Sequence, residues 1–481
     1  MNIRMIGFVL GRILLVEAGL LTLPLAVALL YREPAMPWLI TMAALVVCGA
    51  LLSFRKPERT ALYAKDGFAA VALVWLLMSA FGALPFVLSG DILHYVDAFF
   101  ETVSGFTTTG ASILPAVEPL SRGSLFWRSF THWVGGMGVL VFVMAILPMS
   151  DGHTMHILRA EMPGPTAGKL VSRMSDTAKI LYYIYIGLTI GETICLRLAG
   201  MNWYDALTHS FTTISTGGFS VRNASIAAYD SMLIDWIIII FMFLSGINFA
   251  LLFYAVRRNF KAVFESEELR SYTIMAVAAS ALIVANLVLK AGWTLNAETI
   301  TDATFQVVTL MTTTGYMTYD YVLWPTFSQT VLILVMFAGA CAGSTAGGVK
   351  QIRVVLLFKN LHREIQRILP PRAVKTIRCD GDRVEEPILS GITLFFFAYI
   401  MLLLAGTLVV AWDDIGFTAA FTASLTCISN VGPAFDILGP TSNFSMLSGV
   451  SKIVLSLNML LGRLEIMPLL LLVFPGLWKK R

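Results

Sequence analysis

Four stretches of this chain hold groups that could replace the water around a cation. They read F-T-T-T-G-A-S ending at Ser112, I-S-T-G-G-F-S ending at Ser220, T-L-M-T-T-T-G-Y-M from Thr309 to Met317, and I-S-N-V-G-P-A ending at Ala434. Backbone carbonyl and hydroxyl oxygens are the ligands a desolvated alkali cation needs, and glycine reaches backbone angles at which other residues are strained. The candidate ion-contacting residues are Thr108, Thr109 and Gly110; Ser215, Thr216 and Gly217; Thr313, Thr314 and Gly315; and Asn430, Val431 and Gly432. One such cluster alone would read as a close-packing point between helices. Four copies, with their glycines about one hundred residues apart, argue for a single central structure built from repeats.

The elements that must position these residues lie in lipid. Apolar residues make up 57% of the chain and charged residues 13%, a composition whose surface faces hydrocarbon. Runs long enough to span a bilayer fall near 6–30, 36–54, 67–89, 125–149, 178–200, 231–256, 272–292, 326–349, 387–412 and 446–475. After the first two, the spans form four pairs, each enclosing a shorter segment that ends in one of the four stretches. Asp97, Asp205 and Asp302, and Thr418 in the fourth repeat, are placed to cap those short helices. Too short to cross, the helices enter the membrane and return, and their irregular ends must be buried in protein or line a cavity. Each also aims its negative C-terminal end at the glycine stretch, which favours a cation. Basic residues gather at 55–65, 159–179, 257–270, 350–383 and 479–481, all on one side of a ten-span topology. That side is the cytoplasm, with both termini on it.

Two further features stand out. Arg463 lies in the last apolar run, where a charge costs about 2.5–3.5 kcal/mol even on a lenient insertion scale. It either pairs with a carboxylate of another helix or faces the cavity under the glycine stretches. The run F-A-G-A-C-A-G-S-T-A-G-G-V-K from Phe337 to Lys350 holds Gly339, Gly343, Gly347 and Gly348, enough to break a helix at about 1 kcal/mol per glycine. Gly343 and Gly347 would also suit a small-residue helix contact. The five cysteines show no C-x-x-C spacing and the net charge is +4, so neither a zinc site nor nucleic-acid binding is indicated.

The T-T-G, S-T-G, T-T-G and N-V-G triplets ending at Gly110, Gly217, Gly315 and Gly432 resemble the four filter segments of the Trk/Ktr/HKT superfamily of potassium transporters. The two extra N-terminal helices make the chain most similar to the bacterial TrkH type. The resemblance implies an all-α membrane protein of four parallel helix–pore-helix–helix repeats around a central pore, preceded by two extra transmembrane helices. The divisions would be 1–66 for the N-terminal pair and 67–150, 177–258, 271–360 and 385–477 for the repeats, the third carrying an intramembrane loop. It further implies a homodimer in the lipid bilayer of the bacterial inner membrane, above a cytoplasmic nucleotide-binding regulatory subunit of the TrkA kind. K+ is the transported ion, with no organic cofactor bound by this chain. The superfamily's loop under the filter corresponds to Gly343, Ser344, Thr345, Ala346, Gly347 and Gly348, and Arg463 matches the arginine of its final helix, so these residues form the expected gate. Ala111, Gly218, Tyr316 and Pro433 follow the glycines, unlike the uniform signature of a K+ channel, so selectivity should be moderate. Gly110, where sodium-transporting members have serine, favours potassium. Gly110→Ser should therefore weaken discrimination, and more than Gly135→Ser in a spanning helix.

An enzyme would need a cluster of His, Asp, Glu or Cys at the depth of its substrate, and only scattered Glu17, Glu192 and Arg463 are seen. A Na+- or H+-coupled potassium symporter with alternating access is the alternative, but such transporters commonly use two repeats rather than four. The chain reads as a gated cation pore.

Overall fold

Helix ends in this chain are fixed by short polar residues. Asn2, Ser121, Asn202, Ser266, Asn296 and Ser448 each accept a backbone N–H from the first turn of the helix that follows, satisfying donors that lipid cannot. The structure, a computed structural model, describes residues 2–55, 57, 63–138, 174–368 and 376–473. In chain order the helices are α1 (Ile3–Leu20), α2 (Thr22–Leu30), α3 (Met36–Ser53), α4 (Ala64–Gly82), α5 (Leu84–Ser89), α6 (Tyr95–Phe106), α7 (Arg122–Gly136), α8 (Met174–Leu198), α9 (Trp203–Ile214) and α10 (Met232–Ser245). They continue with α11 (Phe249–Val256), α12 (Phe260–Glu265), α13 (Glu267–Lys290), α14 (Ala297–Met311), α15 (Thr326–Ala338), α16 (Gln351–Ile368), α17 (Glu386–Val410), α18 (Phe417–Ser429), α19 (Gly449–Arg463) and α20 (Met467–Val473). A two-stranded hairpin, Arg378–Cys379 with Asp382–Arg383, is the only sheet among the described residues.

The four-repeat order holds. The short helices α6, α9, α14 and α18 each follow a long apolar helix and precede a shorter one. Six helices are long and apolar enough to cross a membrane among the described residues: 3–30, 36–53, 65–89, 179–198, 267–290 and 386–413. The N-terminal pair crosses closely at Gly11 and Gly49, where a Cβ on either would meet the other's carbonyl at 2.7 or 2.9 Å, a small-residue contact of the kind lipid-embedded helices use. The same pair is tied to the repeats by Glu33, whose carboxylate accepts the N–H groups of Arg122 and Gly123 at the start of α7.

The second helices of the first, second and fourth repeats depart from the expected straight spans, and that of the third ends where its glycines were expected to break it. α7 ends at Gly136, α10 at Ser245, α15 at Ala338 and α19 at Arg463. α10 and α11 are bent by 103°; residues 339–350 form a loop before α16; and Glu465 and Ile466 take left-handed backbone (φ 56° and 68°) before α20. The later part of span 125–149, the basic residues Lys56, Arg59, Arg159, Lys169 and Arg173, and Lys479 to Arg481 lie outside the described residues. The aspartates are also not N-caps: His94, Asn202 and Asn296 hold those places. Asp97 and Asp205 sit in the first turn, where a negative charge still suits the helix dipole. Asp302 is inside α14 and accepts from Thr318.

Candidate functional site

The short helices end identically. Thr108, Thr216, Thr313 and Asn430 adopt left-handed backbone, with φ of 54°, 55°, 59° and 56°. The next N–H, of Thr109, Gly217, Thr314 and Val431, bonds back to the carbonyl of Ser104, Thr212, Thr309 and Thr426 at 2.8–3.0 Å. This closure reverses the chain, and the following residue is in every case a glycine at positive φ: Gly110 (82°), Gly218 (79°), Gly315 (83°) and Gly432 (106°).

These four glycines close a ring. A Cβ on Gly110 would lie 2.1 Å from the carbonyl oxygen of Gly217, one on Gly218 1.9 Å from that of Thr314, one on Gly315 2.2 Å from that of Val431, and one on Gly432 2.8 Å from that of Thr109. Each repeat thus presses a carbonyl against the glycine of the repeat before it, first to second, second to third, third to fourth, and fourth back to first. Thr109, Gly217, Thr314 and Val431 supply the carbonyls, with the C-terminal ends of α6, α9, α14 and α18 behind them.

The ring corrects the register of the second repeat. Gly218, not Gly217, occupies the place of Gly110, Gly315 and Gly432, while Gly217 matches Thr109. A signal for this lies in the sequence: Asp97, Asp205 and Asp302 each stand thirteen residues before Gly110, Gly218 and Gly315. The residues after the glycines are therefore Ala111, Phe219, Tyr316 and Pro433.

Side chains lock the ring from behind. Thr107 and Thr109 share a hydrogen bond at 2.8 Å, as do Thr312 and Thr314. Asn430 donates to the Thr109 hydroxyl (2.9 Å) and the Met459 carbonyl (2.8 Å), joining the fourth repeat to the first. Tyr316 reaches the second repeat, donating to the His209 carbonyl and sharing a bond with Thr212. Arg128 is ion-paired with Glu101 at 2.6 Å, donates to the Ser220 carbonyl and lies over the Phe219 ring.

Beneath the ring lies loop 339–350. Gly339, Gly343 and Gly348 take positive φ, and Phe249 N–H bonds the Gly343 carbonyl, so these glycines form a loop rather than a contact between straight helices. The Thr345 hydroxyl bonds the Ile214 carbonyl at 3.0 Å and meets the Thr216 hydroxyl at 3.3 Å. Gly347 N–H donates to the Thr313 hydroxyl and Gly348 N–H to the Ser429 carbonyl. Ser344 and Ala346 are buried within the loop. Contact with the first repeat runs through Arg463, which donates to the Thr345 carbonyl (2.8 Å) and the Thr108 hydroxyl (3.3 Å), and to the carbonyls of Gly135 and Gly136 that end α7. Glu465 pairs instead with Arg353. Glu268, at the start of α13, accepts from Ala342 N–H (2.6 Å) and Ile352 N–H (3.1 Å), clasping the loop at both ends.

Sequence reasoning missed Glu268, whose position in an acidic first turn looks ordinary, and the early ends of the second helices in the first, second and fourth repeats. It also underrated Gly135: a Cβ there would lie 1.8 Å from the Phe106 carbonyl oxygen, so serine at 135 is no milder than at 110. Among the described residues no group of three or more His, Cys, Asp or Glu is placed to hold a metal ion.

The family model described as TrkH, cation transport protein, matches residues 35–479. The chain is 37% identical to the Trk system potassium uptake protein TrkH of Escherichia coli (strain K12), over 100% of both chains. It is 33% identical to the Trk system potassium uptake protein TrkG of the same organism, covering 95% of this chain and 94% of that one. Its structure is similar to the crystal structure of the potassium transporter TrkH from Vibrio parahaemolyticus, with a TM-score of 0.89, 35% identity and 100% of both chains covered.

Proposed function

The chain belongs to the TrkH family of cation transport proteins, and from that premise we propose that it takes up potassium across the bacterial inner membrane through a gated, moderately K+-selective pore. The observation that carries this reading is the closed ring of carbonyls from Thr109, Gly217, Thr314 and Val431, one per repeat, each against a glycine of its neighbour. Carbonyl oxygens on four sides can stand in for the hydration shell of an alkali cation. Because Ala111, Phe219, Tyr316 and Pro433 follow the ring glycines, fewer equivalent carbonyl layers can form than in a fourfold channel, so discrimination against Na+ is moderate.

Gly343 to Gly348 with Arg463 act as the gate in this reading. The loop bonds Thr216, Thr313 and Ser429 directly and Thr108 by way of Arg463, so it crosses below the whole ring and puts a fixed positive charge in the path of a cation. Regulation enters from the cytoplasm. The loop runs straight into α16, whose Phe358, Leu361 and Ile365 are exposed, and α16 is the handle for a nucleotide-binding subunit of the TrkA kind. The active form is a homodimer with one pore per chain, both termini cytoplasmic and repeats divided near 67–150, 177–258, 271–360 and 385–477.

The test is cation flux in liposomes containing the purified protein, comparing K+, Rb+, Na+ and Li+ for the parent and Gly110→Ser. The parent should prefer K+ and Rb+, and the serine variant should lose much of that preference. An unchanged order of permeation in a folded Gly110→Ser protein would remove the filter from this ring.

A further inference from the structure

Glycine at 217 is not demanded by its own backbone. Its φ lies outside the left-handed region, unlike those of Gly110, Gly218, Gly315 and Gly432, and the equivalent places in the other repeats carry Thr109, Thr314 and Val431. Those three side chains are buried, and the threonines are bonded within their own stretch. What forbids a side chain at 217 is another helix. A Cβ there would lie 2.0 Å from Nδ1 of His132, 2.5 Å from its Cγ and 2.6 Å from its Cε1.

His132 comes from α7 of the first repeat and is wholly buried. Its ring stacks on Phe219 with centroids 4.1 Å apart and planes 14° from parallel. One turn earlier on the same helix face, Arg128 covers Phe219 at 3.6 Å and donates to the Ser220 carbonyl. Gly217, Phe219 and Ser220 are thus held by α7, a helix of the neighbouring repeat, where the other repeats use side chains of the ring residues themselves.

We propose that His132 is a positioning residue of the ion-discriminating ring: its imidazole occupies the place of the side chain Gly217 lacks and so fixes where the Gly217 carbonyl points. The inference rests on the filter reading above. It makes Gly217 and His132 a complementary pair, in which a change at one position is repaired at the other.

The experiment measures the K+/Na+ flux ratio in liposomes and the detergent melting temperature for His132→Ala, Gly217→Thr, the double variant His132→Ala with Gly217→Thr, and Gly110→Ser as a reference. His132→Ala should lower the ratio by roughly fivefold, near the low end of coupling between residues in contact, and Gly217→Thr should lose transport because its Cβ overlaps the imidazole. The double variant, with a side chain restored to the ring as in the other three repeats, should recover most of the parental ratio. That recovery is the readout a merely structural histidine would not give. If His132→Ala does not fold, folding and selectivity regained in the double variant support the proposal equally, and a double variant that also fails to fold overturns it. A folded His132→Ala with the parental ratio, beside a Gly110→Ser that has lost it, overturns the role of His132 while leaving the filter in place. An unchanged ratio in Gly110→Ser removes the filter reading and this inference with it.

Discussion

The four short helices end alike, and the four helices that follow them do not. At the ring each repeat has one left-handed residue, one bond back to the fifth carbonyl before it and one glycine at positive φ. Next to it the second helices all stop short of a span, but each differently: α7 ends at Gly136, α10 bends sharply into α11, α15 gives way to a loop, and α19 ends before left-handed Glu465 and Ile466. In the proposed reading an ion on the axis would meet the same oxygen field from four sides, which requires the repeats to agree. Opening a path would need only one obstruction to move, which requires them to differ. The seam between the two regions is unequal as well. The loop bonds the second, third and fourth repeats directly, but the first only by way of Arg463.

The harshest way to break the symmetric half is Gly218→Ala. Left-handed backbone costs a side-chain-bearing residue about 1–2 kcal/mol by itself, and here the Cβ would also lie 1.9 Å from the Thr314 carbonyl oxygen. K+ flux in liposomes should fall to the level of protein-free vesicles. A change at Gly187, which has open space around its Cβ position, should leave flux at the parental level and stability within about 0.5 kcal/mol of the parent. Normal selectivity in Gly218→Ala would restore Gly217 as the ring glycine.

The asymmetric half is broken by deleting Ala342 to Gly347. The deletion takes away the Thr345 contacts to α9 and the Gly347 bond to Thr313, and flux without any cytoplasmic partner should rise roughly tenfold, the shift produced by about 1.4 kcal/mol between closed and open states. A folded protein with parental flux would mean that the loop is a brace and not a gate. Arg463→Gln is the gentler version. It weakens charge-assisted bonds to Thr108, Thr345, Gly135 and Gly136, of a kind worth about 1.5–3 kcal/mol each. Flux should rise by roughly fivefold, less than in the deletion because the bonds of Gly347 and Gly348 to the third and fourth repeats remain. A fall in flux in well-folded Arg463→Gln would show that the arginine supports conduction.

The symmetric half was largely legible in the sequence, and of the asymmetric half only the glycine-rich loop and Arg463 were. Lipid-length apolar runs, four Thr/Gly stretches and their spacing report burial and repetition, which composition records directly. The register of T-G-G in the second repeat is a matter of one residue, and only the spacing from Asp205 to Gly218 resolves it. The breaks in the other second helices were hidden because one glycine in an apolar helix costs only about 1 kcal/mol and so marks no boundary; Gly246 is such a case. The break after Arg463 is less visible still, since Leu464, Glu465 and Ile466 are ordinary helix residues. The left-handed backbone of Glu465 and Ile466 is held by tertiary contacts, among them the Arg353–Glu465 ion pair. Contacts between segments far apart along the chain, such as Gly135 against Phe106 or Glu268 across the loop, leave no local pattern at all.

Glu268 gives the smallest expected effect and the finest test of the seam. One carboxylate oxygen accepts both Ala342 N–H and Ile352 N–H, so it fixes the distance between the two ends of the loop while the middle reaches the ring. Glutamine keeps an amide oxygen that can accept both bonds but loses the charge that roughly doubles their strength. Glu268→Gln should therefore raise resting K+ flux only about twofold, whereas Glu268→Ala, which removes the acceptor of both N–H groups and leaves the buried one of Ala342 unpaired at a cost of about 1–3 kcal/mol, should raise flux several times more. Both variants should keep the parental K+/Na+ ratio, because the ring carbonyls are not bonded to Glu268. That separation is the point of the measurement. Higher flux at constant selectivity would mark a gate independent of the filter, while a selectivity change in Glu268→Gln would mean that the loop and the ring move as one body and that the division between the two halves is wrong.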